Sequence, residues 1–133
     1  MKSTESIMDT EKQSVVAKSF MATLIRPEEH GYTGTPDAVC DKLCREWTEG
    51  HASRSGVWAF CLTEEGVSHV HMVVQDKTTA MRLSKLAESY AVGSHFEAVK
   101  SGYMAAEKYI LQMEEQDEDA EKVLCIKQYG VIV

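Results

Sequence analysis

Val57-Trp58-Ala59-Phe60-Cys61-Leu62-Thr63-Glu64-Glu65-Gly66-Val67-Ser68-His69-Val70-His71-Met72-Val73-Val74 is the stretch on which the fold turns. Its first six residues are apolar throughout, as in a central strand, and Glu64-Glu65-Gly66 supplies the turn chemistry. The chain then returns through His69 to Val74, and a connection this short predicts an antiparallel hairpin. Side chains alternate between the faces of a strand, so Val70, Met72 and Val74 can enter a core while His69 and His71 project together from the other face.

Upstream, Ser19-Phe20-Met21-Ala22-Thr23-Leu24-Ile25 has the length and apolar content of a buried strand and stops at Arg26-Pro27. Thr35-Pro36-Asp37 carries a hydroxyl cap, a proline for the first turn and an acid for the positive end of the helix dipole. Val39, Leu43 and Trp47 then recur at four-residue spacing, predicting a helix that runs to Gly50. Downstream, Leu83, Leu86, Ala87 and Tyr90 predict a helix over residues 78–90, and His95 to Val99 a short strand. Ser101 can cap a third helix with the stripe Ala106, Tyr109, Ile110 and Met113. The acidic run from Glu114 to Glu121 reads as a loop, and Val123 to Ile126 as the last strand. The expected architecture is α+β, an antiparallel sheet of about five strands with helices packed on it in ferredoxin-like (RRM-like) wiring. Residues 1–16 read as a flexible N-terminal arm and residues 17–133 as one domain.

The chain has 133 residues, 14 Lys+Arg against 21 Asp+Glu, and a net charge of −7. That length suits one domain with a genuine core. A domain holding nucleic acid by bulk charge would be basic, so any DNA-binding role must rest on a local site. No window is long and apolar enough for a membrane span, and the N-terminal residues are polar, so a cytoplasmic protein with no membrane partner is expected. Cys40, Cys44, Cys61 and Cys125 then read as reduced thiols. Cys40 and Cys44, one helical turn apart, have no matching pair at zinc-finger spacing, and buried packing is the expected role.

Two neutral imidazoles side by side form half of a coordination site for a divalent metal. A third ligand should come from nearby. Glu64, at the end of the neighbouring strand, is the choice, with Glu65 the alternative. The competing reading is that both histidines decorate a solvated sheet face. Tyr109 on a helix stripe is ordinarily a core residue with its hydroxyl at the edge. If that helix covers the histidine face, however, its phenol could attack a phosphorus atom polarised by the metal and keep the bond energy as a phosphotyrosine.

His69-Val70-His71 followed by Met72-Val73-Val74 resembles the histidine–hydrophobic–histidine signature of the HUH endonucleases, which comprise rolling-circle replication initiators, conjugative relaxases and some transposases. Residues 95–100 and 107–112 are similar to the third motif region of the single-tyrosine initiators of small circular DNA viruses and related plasmids, and Ser19 to Leu24 to their first strand motif. The resemblance spans Lys18 to Tyr109. It implies an HUH fold and a metal-dependent nickase and ligase for single-stranded DNA at an origin hairpin or nick site, with Mn²⁺ or Mg²⁺ as cofactor. It further implies that Tyr109 is the nucleophile and that His69, His71 and a nearby acid are the ligands.

Many such initiators carry a lysine one turn after the tyrosine, whereas this chain has Gln112, which can hydrogen-bond to phosphate but brings no charge. Lys108 and Lys100 are candidate substitutes. No helicase motif follows, so either a nickase domain working with a C-terminal helicase or a short initiator that borrows a host helicase is expected. Tyr103 is a weaker candidate for a second nucleophile, and Tyr32 could stack on a base. Arg26, Arg45, Arg54, Lys77, Arg82 and Lys85 are scattered cations with candidate phosphate contacts. Three alternatives stand beside the initiator reading. One is a relaxase or transposase-type nickase for DNA mobilisation. Another is a histidine-triad nucleotide hydrolase, which would want a histidine where Val73 stands. The last is a non-catalytic DNA-binding accessory module on the same scaffold.

Overall fold

The computed structural model describes residues 15–99 and 121–130. The hairpin forms as the sequence implies: β3 (Arg54–Thr63) and β4 (Ser68–Asp76) pair antiparallel, with Cys61 opposite His69 and Ala59 opposite His71. Gly66 takes φ 87°, the left-handed conformation in which an L side chain would be strained, and its N–H donates to the Thr63 carbonyl at 2.9 Å. The Thr63 hydroxyl accepts from Val67 N–H at 3.0 Å and closes the turn from the other side.

β2 (Ser19–Ile25) pairs antiparallel with β4 on its other side, and β6 (His95–Ala98) pairs antiparallel with β2. β7 (Glu121–Tyr129) adds to β3, giving a five-stranded sheet in the order β6-β2-β4-β3-β7. Between Phe60 and Cys61 the β7 register slips: Phe60 faces Cys125 and Cys61 faces Val123. Leu124 is therefore the extra residue of a bulge, and it is exposed.

Helix α1 (Pro36–Thr48) starts where the capping residues predict, with Thr35 Oγ1 accepting from Ala38 N–H at 3.1 Å. Its buried residues, Val39, Cys40, Leu43, Cys44 and Trp47, join Leu83 and Leu86 of α2 (Leu83–Ser89) against Phe20, Ala22, Leu24, Trp58, Phe60, Val70, Met72 and Val74 of the sheet. One face of the sheet thus carries both described α-helices. Trp58 lies fully buried at its centre, where its indole N–H donates to Tyr90 Oη at 2.9 Å and the Tyr90 hydroxyl donates to the Leu43 carbonyl at 2.7 Å. Gly56 makes room for this indole, because a Cβ there would stand 2.7 Å from its ring edge.

The second helix is shorter than its periodicity suggests. Asp76 accepts from the N–H groups of Thr78 and Thr79, both at 3.1 Å, and this side-chain capture holds the chain in a turn where the helix was expected to begin. Met81–Arg82 then forms β5, paired with β1 (Val16–Ala17). Backbone pairing therefore begins at the end of the segment read as an arm, with Val15 also accepting from Leu83 N–H. β7 starts at Glu121, inside the acidic run read as loop, and ends three residues beyond the expected Ile126. The third helix expected after Ser101 lies outside the described residues. All four cysteines are free thiols, and three of them are buried.

Candidate metal centre

The face turned away from α1 and α2 carries the odd-numbered residues of β4. Register builds two rows across it. One runs Val123, Cys61, His69, Ile25, and the other runs Ile126, Ala59, His71, Thr23, His95. Directly opposed residues share a face, so Cys61 on β3 and the two imidazoles on β4 are neighbours by strand geometry alone.

Their donor atoms converge. Cys61 Sγ and one ring nitrogen from each of His69 and His71 all lie within 4.8 Å of one another. The two imidazoles meet edge to face, with centroids 4.7 Å apart and planes at 87°. Cys61 and His69 are buried and His71 is half-buried. Ala59, opposite His71, adds no bulk to that row, and on its other flank Thr23 Oγ1 lies 3.3 Å from His71 Nδ1. Farther along the same row, His95 Nε2 lies 3.2 Å from Glu97 Oε2, and both groups are exposed.

The structure thus brings together His69 and His71 as the alternation predicts. Glu64, by contrast, stands exposed in the β3–β4 turn with Glu65, outside the group of converging donors, and the third donor is Cys61. Sequence reasoning places Cys61 only among the reduced thiols, inside an apolar strand, and not among the ligands. The missed signal was the turn: once Thr63 pairs with Val67 around a three-residue loop, counting back two residues puts Cys61 across from His69. Tyr109, Lys100, Lys108, Gln112 and Tyr103 lie outside the described residues.

Other candidates are accounted for by the fold. Tyr32 is buried and its hydroxyl donates to Glu46 Oε1 at 2.6 Å, so it offers no ring for a base to stack on. Burial, reinforced by that acceptor, raises its pKa far above the ordinary phenol value. Arg54 is paired with Asp76 at 3.0 Å and stacked on Trp47, 4.1 Å from the ring centroid, so it is structural. Arg26, Arg45, Lys77, Arg82 and Lys85 are exposed, a position open to solvent and to a phosphate alike. Cys125, beside Asp37 Oδ1 at 2.8 Å, belongs to the helix-covered face, where burial and then that carboxylate push its thiol up to about 11.

No helix among the described residues is long and apolar enough to cross a membrane. No protein-family model matches this chain, and no curated protein matches it significantly.

Proposed function

We propose that this chain is a metal-dependent HUH endonuclease that nicks and rejoins single-stranded DNA at an origin to initiate rolling-circle replication. The convergence of His69, His71 and a third donor on one sheet face is the observation that carries the reading. Support comes also from the wiring. Strand β2, helix α1, strands β3 and β4, helix α2 and strand β6 follow the ferredoxin-like β-α-β-β-α-β succession, with β4 and its histidines in the middle of the sheet.

Tyr109 is the proposed nucleophile on the resemblance of residues 107–112 to the third motif region of the single-tyrosine initiators. In the proposed reaction the phenolate oxygen of Tyr109 bonds to phosphorus as the bond from phosphorus to the 3′ oxygen breaks. The released 3′ oxygen takes up a proton, and the strand stays attached as a 5′-phosphotyrosine until a 3′ hydroxyl reverses the step. Cys61, His69 and His71 would hold a divalent cation, which when bound would supply polarisation of the scissile phosphate. Gln112, Lys108 and Lys100 are the proposed phosphate contacts, and a helicase, from the host or C-terminal to this domain, is the proposed partner. The same chemistry would serve a relaxase or a transposase.

The test is incubation of the protein and divalent metal with single-stranded oligonucleotides that carry origin hairpins. Wild type should yield a covalent protein–DNA adduct and a free 3′ end, and Tyr109→Phe should yield neither. Nicking by Tyr109→Phe at the wild-type rate would overturn the assignment of the nucleophile. Binding without cleavage by wild type would favour the accessory DNA-binding module, a reading with which the uncharged Gln112 agrees.

A further inference from the structure

We infer that the metal centre of this chain is a sulfur–nitrogen site built for Zn²⁺ or a similar borderline ion such as Co²⁺, and not for Mg²⁺ or Mn²⁺. The inference deepens the reading above and rests on its metal site, though not on its nicking chemistry.

The argument starts from the donor set. Mg²⁺ demands oxygen ligands in near-ideal octahedral geometry and gives up its water reluctantly, so carboxylates and phosphates hold it and thiols do not. The three gathered donors here are one sulfur and two imidazole nitrogens. Glu64 and Glu65, the acids nearest in sequence, stand exposed in the turn and outside the cluster. Catalytic zinc sites take three protein ligands from thiolate, imidazole and carboxylate and leave a fourth position for water or substrate, a pattern that one thiolate and two imidazoles fit.

Size and burial agree with this chemistry. Zn–S and Zn–N bonds of about 2.3 and 2.0–2.1 Å put the donors of a tetrahedral site about 3.3–3.7 Å apart. Donors that already lie within 4.8 Å of one another are close to that spacing. Cys61 has no exposed surface and His69 has 6%. A thiolate in such a place would be costly alone, and a bound cation both removes its proton and compensates its charge. Thr23, against His71 Nδ1 at 3.3 Å, orients the one imidazole that is half-buried.

The consequence is a selectivity opposite to the one the family resemblance implies. Oxygen-liganded ions should bind this chain poorly at concentrations where Zn²⁺ saturates it, and replacing the sulfur by a carboxylate should reverse the order.

Cobalt tests this directly, because thiolate bound to Co²⁺ gives a charge-transfer absorption in the near ultraviolet that nitrogen and oxygen ligands do not. The metal-free full chain is titrated with Co²⁺, followed by competition with Zn²⁺, Mg²⁺ and Mn²⁺. Wild type should show the band at one equivalent, lose it to stoichiometric Zn²⁺ and keep it in a large excess of Mg²⁺ or Mn²⁺. The band should vanish in Cys61→Ser and in His69→Ala, with circular dichroism confirming that each variant is folded. Cys61→Asp should bind Co²⁺ without the band and gain at least tenfold in Mn²⁺ affinity. Cobalt binding to wild type with no sulfur band would overturn the inference, as would displacement by Mg²⁺ at concentrations comparable to Co²⁺. A band that survives Cys61→Ser and is lost in Cys125→Ser would place the sulfur on the opposite face and overturn it equally. None of these readouts involves DNA, so a zinc site in a protein that fails to nick would refute the nickase and leave this inference standing.

Discussion

Thr23 and His71 face each other across the β2–β4 ladder, with the threonine hydroxyl oxygen 3.3 Å from His71 Nδ1. The contact is sequence-distant and fixed by register. If Nδ1 carries the proton and donates to Thr23, Nε2 keeps the lone pair that a cation needs, so a hydroxyl two strands away from Cys61 selects the ligating nitrogen.

Replacing Thr23 by valine keeps the β-branched shape and removes this partner. Metal affinity is expected to fall about tenfold, the low end of what outer-shell partners of metal-bound histidines contribute, while Thr23→Ser holds within a few-fold of wild type. Calorimetric titration with Zn²⁺ reads both variants. Equal affinity in Thr23→Val and wild type would show that His71 is oriented by packing alone.

Asp76 gives a prediction about acid. Burial by itself would raise its carboxyl, but donors from Ser53 at 2.8 Å, Arg54 at 3.0 Å and the N–H groups of Thr78 and Thr79 outweigh that penalty and hold it far below the usual carboxylate range. A group depressed in the folded state contributes stability that is present above its unfolded value, about 3.9, and is lost as pH falls toward the folded one. Asp76→Asn should therefore cost about 2–4 kcal/mol at pH 7, where it leaves the Arg54 guanidinium without its counterion. The gap from wild type should narrow steadily below about pH 4. Urea unfolding at neutral and acid pH measures it, and a gap that stays constant would mean the carboxylate charge contributes nothing.

The same aspartate shows why part of the fold was legible and part was not. Apolar alternation in β2 and β4 and the Thr35-Pro36-Asp37 start of α1 are local signals, and the structure follows them to the residue at Ser19–Ile25 and at Pro36. The N-terminal turn of the expected second helix had the right periodicity, yet a carboxylate that was free to bond either to solvent or to two backbone N–H groups decided where that helix starts. The site divides along the same line. His69 and His71 sit two apart on one strand, so alternation alone places them together. Cys61 joins them through a cross-strand register, and its apolar neighbours made it look like core.

That division yields a prediction on the two residues that compete for the third ligand position. Glu64 is exposed in the β3–β4 turn, outside the converging donors, whereas Cys61 lies opposite His69 with its sulfur among them. Glu64→Gln should leave Zn²⁺ affinity within about twofold of wild type and stability within about 0.5 kcal/mol, as for a surface substitution that touches no buried partner. Cys61→Ser should lose at least about tenfold in Zn²⁺ affinity, since a serine hydroxyl neither ionises readily nor matches the softness of sulfur. Parallel zinc titrations of the two variants decide between them. A loss of affinity in Glu64→Gln larger than in Cys61→Ser would mean that the turn folds over the histidines when metal binds, and that the carboxylate is the ligand after all.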